Sequence, residues 1–256
     1  MTSSPAANDR TPFFSVVVPF YNEETAIPDL LTEVLEVMDG IGRSYECLCV
    51  DDGSSDGTPD RIRSFEDSPS SSVRIIQFAE NRGQGAALCR GLQEAAGEVV
   101  ITLDGDGQND PGDIPRLVEL LESCDLVCGI RAERKDSWLR RSMSRLANGV
   151  RGWLLRDGVS DAGCALKVMR REVVFSLIPL KTLYSFIPAM AAAAAGFRIV
   201  EAPVQHRQRH GGKTSYGLLV FLWRPLVDLM GLAWYRRRCT LTPDDCRSAA
   251  ARDGAR

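Results

Sequence analysis

Histidine is nearly missing: His206 and His210 are the only two in the 256 residues, and both lie in one polar stretch. A metal centre built on imidazoles is therefore not expected, and both are read as surface residues. Long apolar runs are missing too. A membrane-spanning helix needs roughly 18 or more uncharged apolar residues in a row. The nearest approach, residues 217–235, is interrupted by Arg224, Pro225 and Asp228, so no transmembrane helix is expected. Residues 1–12 are polar and lack the apolar segment of a signal peptide. No CxxC pair occurs among the eight cysteines, and Cys47, Cys49, Cys89 and Cys164 sit in apolar stretches. That argues for buried free thiols in a reducing cytosol and against a disulfide framework. Neither charge sign dominates: 31 Lys and Arg face 34 Asp and Glu, a net charge of -3, so nothing pulls the chain as a whole towards nucleic acid. No internal repeat or long linker interrupts the sequence.

What is present reads as an α/β protein. Hydrophobic residues make up 44% and charged residues 25%, the balance of an ordinary globular domain with a full core. Apolar runs at 13–18, 47–50, 73–78, 99–103 and 126–128 predict strands covered on both faces. Helices are expected between them. One spans 28–40, opened by Pro28 and stopped by Gly40; one begins at Thr58 and Pro59; others span 84–96 and 114–121. Strands alternating with helices imply βαβ units and a mostly parallel sheet. Further on, the pattern predicts a helix over 138–155, strands over 161–169 and 198–203, and a helix over 186–195. A polar loop is expected over 205–216, an apolar helix over 217–235 and a loose polar tail over 236–256. Residues 131–156 carry eight Lys or Arg against Glu133 and Asp136, a local patch suited to phosphates or anionic lipid.

In a parallel α/β sheet, ligands bind at the carboxyl ends of the strands. Four polar loops fall there: Pro19 to Glu24, Asp51 to Thr58, Asn81 to Gly85 and Asp104 to Gln108. In the fourth, Asp104 and Asp106 are separated only by Gly105, so both carboxylates can address one hard cation, and Gln108 adds a neutral oxygen. An EF-hand is excluded, because Asn109 and Pro115 occupy the positions that require Gly and Glu. A phosphatase that forms an aspartyl-phosphate is a weaker reading, since its Asp pair follows the first strand. The stretch from Gly83 to Leu88 lacks the third glycine of a dinucleotide fingerprint and follows the third strand, so it does not indicate a dehydrogenase. In the second loop, either Asp51 or Asp52 can accept hydrogen bonds from a base or ribose, or the segment is a turn with a helix cap.

The segments VVVPFYNEE, VDDGSSDGT, NRGQGAA and LDGDGQNDP, in this order, resemble family 2 glycosyltransferases of GT-A fold. The resemblance runs over about residues 16–216 and points to the group of dolichyl-phosphate mannosyltransferases and bacterial polyprenyl-phosphate glycosyltransferases. It implies a metal-dependent, inverting enzyme that takes a sugar from GDP-mannose or a UDP-hexose. Pro19, Tyr21, Glu23, Asp52 and Asp104 match nucleotide-binding positions. Asp104, Asp106 and Gln108 match the region that holds Mg²⁺ or Mn²⁺. Arg131 matches an arginine near the sugar and phosphate, and Asp161 sits where an acceptor-side acid is expected. Arg209 and Lys213 fall in a loop resembling the basic acceptor loop, with the lysine displaced by two positions from the family pattern. The implied division is a tail (1–12), a GT-A domain (13–216), an amphipathic helix at a membrane interface (217–238) and a polar tail (239–256).

The implied partners are a nucleotide sugar, a polyprenyl phosphate and a membrane surface, with no nucleic acid. A membrane-protein partner or a second copy of the chain stays open. The expected location is the cytoplasmic face of the membrane, reached through amphipathic surfaces at 138–155 and 217–235. Asp106, Arg131, Asp161 and Arg209 are the expected catalytic residues. A phosphate acceptor needs little help from a base, whereas a sugar hydroxyl would need one, and Asp161 is the candidate. Two other readings remain: a soluble transferase acting on a saccharide, and a non-catalytic nucleotide-sugar-binding protein.

Overall fold

The computed structural model describes residues 11–67, 71–131, 149, 151–155, 157–207 and 218–253. Among the described residues, seven strands form one sheet: β1 (Phe14–Phe20), β2 (Tyr45–Asp51), β3 (Val73–Gln77), β4 (Val99–Thr102), β5 (Leu126–Arg131), β6 (Lys167–Arg170) and β7 (Ile199–Val204). Their order is β3-β2-β1-β4-β6-β5-β7. Only β6 runs antiparallel to its neighbours. The carboxyl ends of the other six strands therefore share one edge, and the first residue of β6, Lys167, meets them there.

The continuous apolar runs are explained by helices on both faces. In β1, Val16 and Val18 enter one buried cluster while Val17 enters the other. In β2, Cys47 and Cys49 face the first cluster and Leu48 the second; in β4, Val99 and Ile101 divide from Val100 in the same way. Strand side chains alternate, so a two-faced burial requires an unbroken apolar sequence. The first face is covered by α1 (Ile27–Ile41), α2 (Thr58–Glu66) and α4 (Ile114–Leu120). In α1, the buried positions Ile27, Leu30, Leu31, Val34 and Met38 form one helical stripe. Truncating Leu31 to Ala would cost about 2–5 kcal/mol. The second face is covered by α3 (Gln84–Glu94), α5 (Arg171–Val174), α6 (Leu183–Ala195), α7 (Leu218–Arg238) and α8 (Pro243–Asp253). All eight cysteines are free thiols, and six are buried: five in the strands and turns of these two clusters and Cys246 within α8.

Several sequence expectations are corrected. Helix α1 passes through Gly40 and ends at Gly42, whose left-handed φ of 73° supplies the cap. The strand expected over 161–169 is confined to Lys167–Arg170, because the preceding segment turns away to hold side chains at the sheet edge. The loose tail is replaced beyond Arg238 by α8. Thr242 and Asp245 cap it reciprocally, Pro243 begins it, and Cys246 is buried against the second cluster. Arg171 and Asp253 close an ion pair at 2.6 Å across its far end. Among the described residues, no helix is long and apolar enough to cross a membrane.

Candidate active site

The first two loops are laced together by side chains acting on backbone. Asn22 adopts a left-handed φ of 54°, which lets its Oδ1 accept from the Ser55 N–H at 2.8 Å. Its own N–H donates to Ser54 Oγ at 2.9 Å. Thr58, expected to cap its own helix, accepts from the Glu23 N–H at 2.9 Å. Pro19 lies inside β1, Tyr21 is exposed at the rim, and Glu23 is buried. From the end of β1 these three residues reach the edge where the other loops gather.

Asp51 and Asp52 are both buried but do different things. Asp52 ties down the third loop: its Oδ1 accepts from the Arg82 N–H at 2.7 Å, and its Oδ2 from the Gly83 N–H at 2.8 Å and Asn81 Nδ2 at 3.1 Å. Burial raises its pKa, and the two backbone N–H groups pull the other way. Asp51 accepts through Oδ1 from the Ser54 N–H at 3.2 Å, while its Oδ2 has no hydrogen-bond partner among the described residues. Acceptor capacity is therefore left over at Asp51 and used up at Asp52.

The fourth loop leaves β4 at the centre of the sheet. Glycine is required at 105, where a Cβ would come within 2.6 Å of the Pro19 carbonyl oxygen and within 2.5 Å of the Phe20 ring. Gly107 takes a φ of 71°, which turns the chain so that the Gln108 N–H can donate to Asp106 Oδ1 at 3.1 Å. Asp104 accepts from Gln84 Nε2 at 2.6 Å. Its pKa is pushed up to about 7, first by burial and then by the charge of Asp106; Lys167, Arg131 and the Gln84 hydrogen bond act in the opposite sense. Among the described residues, no three Asp, Glu, His or Cys side chains form a metal cluster. The donor set nonetheless suits Mg²⁺ or Mn²⁺, which need only one or two carboxylates when water and phosphates complete the shell. The repulsion that raises Asp104 is also what a cation between the two carboxylates would relieve.

At the end of β5, Arg131 is clamped by Asp161. Nε donates to Oδ2 at 2.8 Å, Nη2 to Oδ1 at 2.7 Å, and the Arg131 N–H to Oδ2 at 3.3 Å. Burial opposes the arginine's charge, and Asp161 more than offsets this, so its pKa rises. Glu201 holds the turn from behind, accepting from the N–H groups of Ser160 at 2.8 Å and Asp161 at 3.2 Å. Lys167, fully buried, donates through Nζ to the carbonyls of Ala162 at 3.3 Å, Tyr184 at 3.1 Å and Cys164. With Pro19, Gln84, Thr102, Asp104 and Tyr184 it lines a cavity of about 10 Å³, room for about one water.

The edge therefore brings together Pro19, Tyr21, Glu23, Asp52, Asp104, Asp106, Gln108, Arg131 and Asp161. Arg209 and Lys213 lie outside the described residues, as does most of the basic helix expected over 138–155. Within that helix, expected to offer a charged and apolar surface to the membrane, Arg151 does not face outward. It is instead buried, ion-paired with Asp157 and donating to the Val159 carbonyl. Sequence reasoning passed over Gln84, Lys167 and Glu201. Lys167 carried a signal, a lone lysine within an apolar strand, where a charge is rare without a structural reason.

The glycosyl transferase family 2 model matches residues 15–176, which is more than half of the chain. The chain belongs to glycosyl transferase family 2. It is 40% identical over 219 residues to an undecaprenyl-phosphate 4-deoxy-4-formamido-L-arabinose transferase of Edwardsiella ictaluri, covering 85% of this chain and 66% of that protein. The protein of the same description in Aeromonas hydrophila is 38% identical, with 84% and 67% covered. The match thus spans about two thirds of these relatives' length. Glucosyl-3-phosphoglycerate synthase of Mycobacterium tuberculosis with UDP superposes with a TM-score of 0.67 at 21% identity, covering 89% of this chain and 81% of that one. Its complex with Mn²⁺, UDP and phosphoglyceric acid gives 0.66, also at 21%, covering 90% and 79%. At this identity the likeness establishes the fold, which is GT-A.

Proposed function

We propose that this chain transfers a sugar from a nucleotide-diphosphate donor to a polyprenyl phosphate, with inversion at the anomeric carbon. The observation that carries the acceptor is the Arg131–Asp161 clamp. Both oxygens of Asp161 serve the arginine, so the acid expected as a base is committed to orienting a cation instead. A phosphomonoester, with a second pKa of about 6, is mostly dianionic at neutral pH and needs no base to attack. Two relatives act, by their names, on undecaprenyl phosphate, which agrees.

In this reading an acceptor phosphate oxygen attacks the anomeric carbon as the bond from that carbon to the nucleoside diphosphate breaks. Arg131 neutralises charge on the phosphate side, a role the family pattern also gives to Arg209 and Lys213. Asp104, Asp106 and Gln108 would hold Mg²⁺ or Mn²⁺, which when bound offsets charge on the departing diphosphate. Pro19, Tyr21 and Glu23 border the nucleotide. Asp51 accepts from the base through its unused oxygen, and Asp52 shapes the pocket by fixing Asn81 to Gly83. Residues 13–216 form the catalytic domain in this account.

Contact with the lipid falls to α7. Val227, Met230 and Trp234 are exposed at helical spacing on one side, and exposed Arg237 and Arg238 follow. Leu229 and Leu232 bury the opposite side. An apolar, aromatic stripe ending in arginines suits an anionic interface and supports a peripheral association with the membrane. The acceptor is tested by competing polyprenyl phosphate against free polyprenol and a panel of saccharides. Labelled sugar should appear on the phosphate lipid alone; transfer to a saccharide in its place would select the soluble-transferase reading.

A further inference from the structure

Just before residue 208, the chain leaving β7 is fastened to the loop that carries Asp106 and Gln108. Asn109 and His206 form an antiparallel bridge, and the Arg207 N–H donates to the Gln108 carbonyl at 2.8 Å. The Gln205 N–H donates to Asp113 Oδ2 at 2.7 Å. The Arg207 side chain adds a clamp. Its Nη1 donates to both oxygens of Glu33 on α1, at 2.9 and 2.7 Å, and its Nη2 pairs with Asp110 Oδ2 at 2.9 Å. Asp110 spends its other oxygen on the Gly112 N–H at 2.9 Å, capping the short turn Pro111–Asp113.

One guanidinium thus spans α1, the end of the fourth loop and the end of β7. The loop bends at two glycines and carries no regular structure from Asp104 to Asp110, so its shape depends on such outside contacts. We propose that Arg207 is a positioning residue for the cation site: it braces Gln108 and Asp106 through Asp110 and the Gln108 carbonyl, using Glu33 as a fixed anchor. This rests on the reading of that loop as the metal-holding one. An ion pair this exposed contributes little to stability. Its effect belongs in the placement of ligands, where outer contacts of a metal site typically matter about tenfold or more.

The test is Mn²⁺ titrated by calorimetry into the whole chain saturated with UDP or GDP, whichever the parent binds more tightly, with the melting temperature measured alongside. Arg207→Ala should weaken Mn²⁺ binding about tenfold while the melting temperature stays close to the parent's, and Arg207→Lys should restore part of the loss. Glu33→Gln, which loosens only the anchor, should give a smaller loss in the same direction. Parent-like Mn²⁺ binding in folded Arg207→Ala overturns the proposal. If Arg207→Ala does not fold, parent-like binding in both Arg207→Lys and Glu33→Gln overturns it. A parent that binds nucleotide but no Mn²⁺ overturns the metal reading of the loop itself, and the inference with it.

Discussion

Asp161 grips the Arg131 guanidinium with both carboxylate oxygens, at 2.8 and 2.7 Å. A carboxylate used this way orients a cation and does not take a proton. Replacing Asp161 with Asn keeps the shape but removes the charge that holds the arginine. The expected result is a rise in KM for polyprenyl phosphate of about tenfold, from the loss of one charge-assisted hydrogen-bonded pair. Donor affinity should be unchanged. Removing a general base would instead lower kcat about 10²–10⁴-fold. Steady-state kinetics of Asp161→Asn separate the two.

Asp51 and Asp52 should also part company on mutation. Asp52→Ala removes the acceptor of three hydrogen bonds from Asn81, Arg82 and Gly83. Each such bond to a charged group contributes about 1.5–3 kcal/mol, and the three share one side chain. The melting temperature should fall clearly. Asp51→Ala should weaken nucleotide binding with a smaller thermal effect. Calorimetry with UDP and GDP, beside thermal melts, decides; equal nucleotide affinity in Asp51→Ala and parent would remove Asp51 from the base contact.

Lys167 and Pro188 are linked through a carbonyl. Pro188 lies inside α6 and has no N–H to offer Tyr184 four residues earlier, and Lys167 Nζ takes that carbonyl at 3.1 Å. Lys167→Met should destabilise the fold by about 3 kcal/mol or more, since it strands buried acceptors. Adding Pro188→Ala returns a donor to Tyr184 and should recover part of that loss. Denaturant unfolding of the two variants measures it; no recovery would mean the proline-freed carbonyl contributes little.

The outer side of α7 predicts a salt-dependent membrane contact. Arg237→Ser with Arg238→Ser should weaken binding to anionic vesicles roughly tenfold or more at low salt, and less at high salt. Trp234→Ala should weaken it at both salt levels. Donor affinity should stay at the parent value. Co-sedimentation with vesicles reads the two variants and calorimetry the donor affinity; parent-like sedimentation of both variants would move the lipid contact elsewhere.

Much of this was legible in the sequence, for stated physical reasons. A strand buried on both faces must be apolar throughout, so β1, β2 and β4 announced themselves. Carboxylates and glycines at strand ends have little reason to cluster except at a binding edge, which marked Asp104, Asp106 and the loops beside them. Three things were harder to read. Sequence spacing does not say which of two adjacent aspartates spends its oxygens inside the protein, so Asp51 and Asp52 could not be separated. The segment before β6 has strand-like residues but is drawn off by Arg131 and Glu201, 30 and 40 residues from Asp161, contacts that no local pattern reveals. Helix α8 did carry its signal, Thr242-Pro243-Asp244-Asp245, but high polarity made the segment look like a tail.

Metal-assisted transfer of a sugar onto a lipid phosphate can be read as product. The protein is incubated with polyprenyl phosphate and a panel of nucleotide sugars: UDP-hexoses, GDP-mannose and a donor of the 4-deoxy-4-formamido-L-arabinose named for its relatives. Glycolipid is scored with Mg²⁺ or Mn²⁺ and again in excess chelator. An inverted sugar-phosphate lipid should form from one donor, made by the parent with metal, lost in chelator and lost in Asp106→Ala. Full turnover in excess chelator, or an active Asp106→Ala, would contradict metal-assisted transfer.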